Sequence, residues 1–309
     1  MTPESVIFYR MNKGTLWQDI VKATQNALRI GAQIPIPTDY EFVEDSGIRF
    51  FVRILSRLQE KDEARKKQHE ESLEGQKTAN PFLPYDKNMF VADISETHIA
   101  LLNKFNVVEH HLLIVTRHFE DQETLLTLND FEALWACMSE YNGLGFYNGG
   151  EEAGASQRHK HLQMVPLPLA PEGPSIPLEP LLKKARFDGN LGIIPGFPFS
   201  HVFAHFEENN MVSTPEAAMK TFELYSTMLE KLGLETPSVA ILKRQSKPYC
   251  LLLTRQWMLL VPRSHEFIDS ISINSLGFAG ALLVRDSEQM DLIKKIAPMN
   301  VLKTVALPS

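Results

Sequence analysis

Apolar residues recur at helical spacing between Gly14 and Gly31, where Leu16, Trp17, Ile20, Val21, Ala27 and Leu28 are separated by polar positions. That period predicts an amphipathic helix. Two apolar runs follow, Tyr40–Val43 and Ile48–Leu55, flanking Glu44-Asp45-Ser46-Gly47, and they predict a hairpin. The pattern then lapses: Leu58 to Ala79 mixes charges of both signs and predicts a solvated helix or a surface loop. Alternation resumes at Met89–Ile94, His98–Leu102 and Leu112–Thr116, three strands expected in one sheet. Asn129 is placed to cap a helix to about Tyr141, with Phe131, Leu134, Trp135 and Met138 on its buried side. From Pro166 to Pro198 proline recurs every few residues, which predicts an extended crossing segment because proline removes backbone donors. Beyond it a second set appears. Val202–Phe206 predicts a strand, and Thr214–Leu232 a helix with Thr214 at the cap and Pro215 in the first turn. Val239–Leu242, Cys250–Thr254 and Trp257–Val261 predict a meander, followed by Asn274–Val284 and a helix over Ser287–Ile296.

Strands and helices in this order predict an α+β protein with a central antiparallel sheet and helices on one of its faces. Residues 1–165 form a first region, 166–198 the crossing segment, and 199–309 a region that closes a groove. At 309 residues and a net charge of −7, the chain lacks the basic surface that a nucleic-acid polymer demands, while small phosphorylated ligands remain compatible. The only two cysteines, Cys137 and Cys250, lie far apart in sequence, which excludes a CxxC motif and fits a reducing compartment. No secretory leader or membrane-length apolar run is evident, so a cytoplasmic protein is expected.

The chemistry-bearing stretch runs from Gly154 to Pro166, Gly-Ala-Ser-Gln-Arg-His-Lys-His-Leu-Gln-Met-Val-Pro. In an extended strand, residues two apart face the same way and lie roughly 7 Å apart. His159, His161 and Gln163 then share one face, and Arg158, Lys160, Leu162 and Met164 the other. Two imidazoles and an amide in a row suit reaction at a single phosphorus, where one group attacks and its neighbours hold oxygens and manage protons. A His-x-His pair also arises incidentally on a polar strand face, or as a metal pair. Zinc would need a third protein ligand; no cysteine is near, and His110, His111 or His118 could supply one. The preceding turn, Asn148 to Gln157, is rich in small residues whose backbone N–H groups can converge on an anion. A Walker-type loop is absent, and Gly143-Leu-Gly145-Phe-Tyr-Asn148 falls short of a dinucleotide fingerprint.

The row His159-x-His161-x-Gln163, with Ser156 ahead of it, resembles the histidine-triad superfamily in its nucleotidyltransferase form. Upstream, the stretch from Leu101 through Asn103 and His111 to Phe119 resembles that superfamily's asparagine-bearing strand and His-x-Leu strand. Asn80-Pro-Phe-Leu-Pro84, Phe146-Tyr-Asn-Gly-Gly150 and Trp257-Met-Leu-Leu-Val-Pro-Arg-Ser264 add to the pattern. Together they are similar to the ATP adenylyltransferase, or diadenosine tetraphosphate phosphorylase, family over roughly residues 40 to 300.

The resemblance implies a histidine-triad-like sheet with flanking helices, elaborated by a C-terminal α+β segment. It implies that His161 attacks the α-phosphorus of a dinucleoside polyphosphate, that ATP leaves, and that phosphate then releases ADP from a covalent His161–AMP. His159 and Gln163 complete the catalytic row; glutamine does not titrate and is a poor base for water, which favours a phosphate acceptor over hydrolysis. Asn148, Gly154, Ala155, Ser156 and Gln157 match positions that contact phosphate and ribose, with Asn103 near ribose or base. Asn274, Ser275 and Arg285 belong to a segment that reaches the site, and Arg53 joins them. Family members often carry lysine near Arg53 and Arg285, and a guanidinium contacts phosphate differently from an ammonium. The implied partners are small nucleotides: diadenosine polyphosphates, ATP, ADP and phosphate.

No organic cofactor or protein-held metal is implied, and magnesium is expected to accompany the polyphosphate. Simple histidine-triad proteins dimerise, whereas this longer chain is expected to complete its fold as a monomer. A hexose-1-phosphate nucleotidyltransferase shares His-x-His-x-Gln, but such enzymes commonly use Cys/His metal sites that this chain cannot build. A nucleotide-binding protein without turnover is the alternative from outside the enzymes, and an intact His161 weighs against it.

Overall fold

The computed structural model describes residues 11–55, 80–206, 213–234 and 243–309. The charged stretch 58–79 and the strand expected at 239–242 lie outside the described residues. Helix α1 (Leu16–Arg29) buries Leu16, Ile20, Thr24 and Ala27 along one side, as its periodicity predicts. Strands β1 (Thr38–Asp45) and β2 (Ile48–Leu55) form the expected hairpin. Its turn residues Ser46 and Gly47 take φ of 53° and 74°, the handedness that suits the twist of the strands they join.

Strands β3 (Phe90–Asp93), β4 (His98–Leu102) and β5 (Leu112–Thr116) follow, then α2 (Leu128–Glu140). The cap of α2 is Thr127, not Asn129: Asp130, three residues on, accepts the Thr127 N–H at 2.6 Å and closes a capping box. Strands β6 (Gly143–Gly149) and β7 (His161–Pro166) complete the first region.

The proline-rich segment is not extended throughout. It holds a short helix, α3 (Glu179–Leu182), and a hairpin of β8 (Arg186–Asp188) and β9 (Leu191–Ile193). Pro180 sits in the first turn of α3, where no N–H is needed, and no proline falls between 181 and 194 to block pairing.

Next come β10 (Val202–His205), α4 (Thr214–Leu232), β11 (Tyr249–Leu253) and β12 (Trp257–Pro262). Ser213, rather than Thr214, occupies the cap of α4. A small hairpin, β13 (Phe267–Ile268) and β14 (Ile271–Ser272), leads to β15 (Ala281–Val284), α5 (Ser287–Ile296) and α6 (Pro298–Val305). Helix α6 was not expected. Ala297, at φ 72°, breaks the chain between α5 and α6.

Among the described residues ten strands form one sheet in the order β3-β4-β5-β7-β6-β11-β12-β10-β9-β8, with every neighbouring pair antiparallel. β15 runs parallel to β2 in a second sheet, β1-β2-β15. Because β6 pairs with β11, with Tyr147 opposite Leu251, the large sheet is continuous across the proline segment.

Helices cover both faces of that sheet, not one. Leu162 and Met164 of β7 enter a core with α1, α2 and α4, while Val165 enters another with β2, β15, α3, α5 and α6. The reason is that β6, β11 and β12 are buried at every position, so each face presents apolar side chains that need a cover. A third cluster, Phe82, Ile99, Leu101, Leu113 and Val115, lies toward the β3 edge. Between the second and third clusters opens a cavity of about 1040 Å³.

Candidate active site

Strand β7 is central, hydrogen-bonded to β5 on one side and β6 on the other. Gln122 reinforces it: its Oε1 accepts the His161 N–H at 2.9 Å, and its Nε2 donates to the carbonyls of Asn148 (2.9 Å) and His161 (3.2 Å). His161 lines the cavity although only 4% of its surface is exposed. Its Nδ1–H donates to the His159 carbonyl at 2.8 Å, which leaves Nε2 as the nitrogen with a lone pair. Burial pulls this imidazole down to about 4, so it is neutral near pH 7.

The His159 ring packs against Phe82, 5.6 Å between ring centroids, as the His161 ring does at 5.4 Å. The strand begins at His161, and His159 forms an isolated bridge with Asp121. Its Nε2–H donates to the Thr116 carbonyl at 2.8 Å, its Nδ1 accepts from Asn80 Nδ2 at 2.9 Å, and Phe82 and Phe119 pack edge-on against the ring. The ring is not among the cavity-lining groups. What reaches the site is its backbone carbonyl, which fixes the tautomer of His161.

Gln163 also lines the cavity. Its Oε1 accepts from His111 Nε2–H at 2.9 Å, and His111 Nδ1 accepts from Asn103 Nδ2 at 3.1 Å. Burial holds His111 at about 4, so the chain Asn103–His111–Gln163 is neutral and each polarity in it is set by the next. With Oε1 engaged, the amide N–H₂ of Gln163 is the end left to meet a ligand.

The turn after β6 carries Gly150 and Gly154 at φ 98° and 91°. A Cβ on Gly154 would lie 2.7 Å from the Cβ of Asn274, so only glycine lets these two segments close together. Asn148 Oδ1 accepts from the Ser275 N–H (3.0 Å) and Oγ–H (2.6 Å), joining the turn to the segment after β14. Arg53 and Arg285 line the cavity, and neither forms an ion pair with a carboxylate of the described residues.

A family model described as the Ap4A phosphorylase N-terminal domain matches residues 8–184, and one described as the ATP adenylyltransferase C-terminal domain matches residues 195–308. The chain belongs to the Ap4A phosphorylase family. It is 31% identical over 242 residues to the diadenosine 5',5'''-P1,P4-tetraphosphate phosphorylase 2 of Saccharomyces cerevisiae, covering 70% of this chain and 71% of that protein. Its fold is that of yeast Ap4A phosphorylase Apa2, with a TM-score of 0.75, 24% identity and 96% of both chains covered. The crystal structure of Apa2 in complex with Ap4A gives the same TM-score at 23% identity, covering 96% of this chain and 99% of that one.

Of the residues that the family resemblance points to, the cavity gathers His161, Gln163, Asn103, Asn148, Gly154, Ser156, Gln157, Asn274, Arg53 and Arg285. It does not gather the side chains of His159, Ala155 or Ser275; Ser275 is fully buried and braces Asn148. In the sequence, His111 stands out only within a motif of the resemblance and as a conceivable metal ligand, Asn80 only within such a motif, both without a role, and Gln122 does not stand out at all. Their roles depend on partners 26 to 79 residues away, which no local spacing signals. The sequence also leaves Lys160 as an unremarkable residue on the far side of the row. Lys160 is 0% exposed, and its Nζ donates to Asp130 (2.8 Å), Glu120 (3.2 Å) and the Leu125 carbonyl (3.1 Å).

Proposed function

We propose that this chain cleaves diadenosine tetraphosphate with inorganic phosphate to ADP and ATP, through AMP carried covalently on His161. The observation that carries the reading is the neutral His161 at the cavity wall, with Nδ1–H committed to a carbonyl and Nε2 left to act as nucleophile. In the first step Nε2 bonds to the α-phosphorus as the bond to the bridging oxygen breaks, and ATP leaves with that electron pair. In the second, a phosphate oxygen attacks the same phosphorus from the vacated side. The P–N bond breaks, the imidazole recovers its lone pair, and ADP is released. Both steps reverse.

The Gln163 N–H₂, aimed by His111, donates to a nonbridging oxygen and stabilises charge that grows in the transition state. It has no lone pair suited to deprotonate water, so phosphate, already an anion, is the preferred acceptor. The Gly154 and Ala155 N–H groups donate to the carbonyls of Glu151 and Gly150, so Ser156 and Gln157 are the part of the turn that meets phosphate, and Arg53 and Arg285 face the polyphosphate chain. The cavity, about 1040 Å³, suits a two-nucleoside ligand. Among the described residues no group of three or more His, Cys, Asp or Glu side chains is arranged to hold a metal, so magnesium would arrive on the polyphosphate. We place the activity in the cytoplasm and in a monomer; among the described residues no helix is long and apolar enough to cross a membrane.

The test is release of ADP and ATP from diadenosine tetraphosphate in the presence and absence of phosphate. Turnover should require phosphate. Withholding it should leave one AMP on His161 by mass spectrometry, and His161→Ala should lower turnover by roughly 10⁴-fold or more. Cleavage that proceeds without phosphate, or that survives His161→Ala, would overturn the assignment.

A further inference from the structure

Arg263 directly follows β12 and belongs to the Trp257–Ser264 motif, yet no step above uses it. Its side chain is 1% exposed, and no carboxylate of the described residues pairs with it. A buried guanidinium without a counter-charge is costly unless its donors are all satisfied. Here they are. Nε donates to the Val305 carbonyl at 3.0 Å, Nη1 to Cys250 Sγ at 3.1 Å and the Ala153 carbonyl at 3.4 Å, and Nη2 to the carbonyls of His265 at 2.8 Å and Glu266 at 3.5 Å. Five acceptors meet the five N–H groups of the fork. The guanidinium carbon also lies 5.2 Å from the centre of the Phe278 ring.

The acceptors are spread over separate segments, and most of those segments form the cavity wall away from β5. Ala153 precedes Gly154 in the phosphate-facing turn; Glu266 and Phe267 start the β13–β14 hairpin; Phe278 follows Gly277. Gly154, Glu266, Phe267, Asn274 and Gly277 all line the cavity. By contrast, His161 and Gln163 are held by β5, β6, Gln122 and His111, none of which Arg263 touches.

We propose that Arg263 is a positioning residue for substrate binding: its fork ties the Gly150–Gly154 turn, the β13–β14 hairpin and the segment around Phe278 into one preformed wall for the polyphosphate half of the dinucleotide. The arrangement explains why a guanidinium occupies the core here. An ammonium has three donors and no plane, and it cannot hold all five acceptors at once. The proposal rests on the phosphorolysis reading of the same cavity, so wild-type turnover is measured first.

The test is steady-state kinetics of Arg263→Lys with diadenosine tetraphosphate and phosphate. The wall loosens while the nucleophile stays in place, so KM for the dinucleotide should rise roughly tenfold and kcat should stay within about threefold. Cys250→Ala removes a single acceptor, keeps the charge, and should raise KM by about twofold; it keeps the test open should Arg263→Lys fail to fold. A residue that only holds the fold together would lower kcat through loss of active protein and leave KM unchanged, and that result overturns the proposal. If the wild type itself does not turn over, the phosphorolysis reading fails instead.

Discussion

On one face of β7 the buried polar groups are neutral rings and amides joined by single hydrogen bonds. On the other, Lys160 buries an ammonium against Asp130 and Glu120, with His98 donating to Asp130 at 3.1 Å. His161 and Lys160 are both buried, yet the two sides settle on opposite charge states. Burial alone would raise the Asp130 carboxyl; the Lys160 ammonium and the His98 bond more than offset it and hold it well below the usual carboxylate range. His161 has no such partner, so burial takes its proton away. The protonation state of a buried group follows its neighbours. Here the back face anchors α2 through its capping residue Asp130, and the front face keeps a lone pair available.

Removing one member of the back-face pair should have the largest effect on stability. Lys160→Ala leaves the Asp130 carboxylate without its ammonium and is expected to cost about 3–5 kcal/mol, read from urea unfolding. Adding Asp130→Asn should recover a good part of that loss. A double variant as unstable as the single one would show that the ion pair is not what secures this face.

The front face should respond to pH. His161 and His111 are held at about 4 in the folded chain, against about 6.5 when unfolded. Below pH 6.5 the unfolded chain takes up protons that the folded chain refuses. Stability is therefore complete above about pH 6.5 and falls as pH drops toward about 4, by up to about 3 kcal/mol for each histidine. His159 and His201, also lowered by burial, act in the same direction. Unfolding free energy measured between pH 7 and pH 5 should show this slope, and His161→Asn should flatten it. Turnover, in contrast, should show no loss from protonation of His161 between pH 6 and 8, because that group is already neutral.

The smallest expected effect lies in the chain that aims Gln163. His111→Asn should lower kcat by roughly tenfold, since the Gln163 amide loses its fixed orientation, with little change in KM for the dinucleotide. An unchanged kcat would show that something other than His111 orients the amide.

Much of the secondary structure was legible in local pattern. The helix expected over Ser287–Ile296 forms at those residues, and Thr214–Leu232 is helical throughout, because a 3.6-residue stripe and its end signals sit within the segment itself. The departures came where a competing local signal or a distant partner won. Asp130 drew the start of α2 back to Thr127, and apolar residues on both faces of β6, β11 and β12 called for helices on each side. In the site, the alternation that singled out His161 and Gln163 is local and holds from His161 onward. Both ring nitrogens of His159 are engaged by Thr116 and Asn80, partners far away in sequence, and it is the His159 carbonyl that bonds His161. His111 went unassigned because its bond to Gln163 follows from the β5–β7 register, in which Leu113 lies opposite Gln163.

From its order of residues alone, this chain specified its four longest described helices, most of its strands, and a reactive imidazole two positions from a non-titrating amide. Those features depend on neighbours within a few residues, where steric preference and periodicity act directly. Folding decided which nitrogen of His161 carries the proton, which end of Gln163 faces the cavity, and which arginines stand without a carboxylate among the described residues. Each of those outcomes needs groups from separate strands brought within about 3 Å inside a dry interior, and a hydrogen bond acquires its direction only when both ends have arrived.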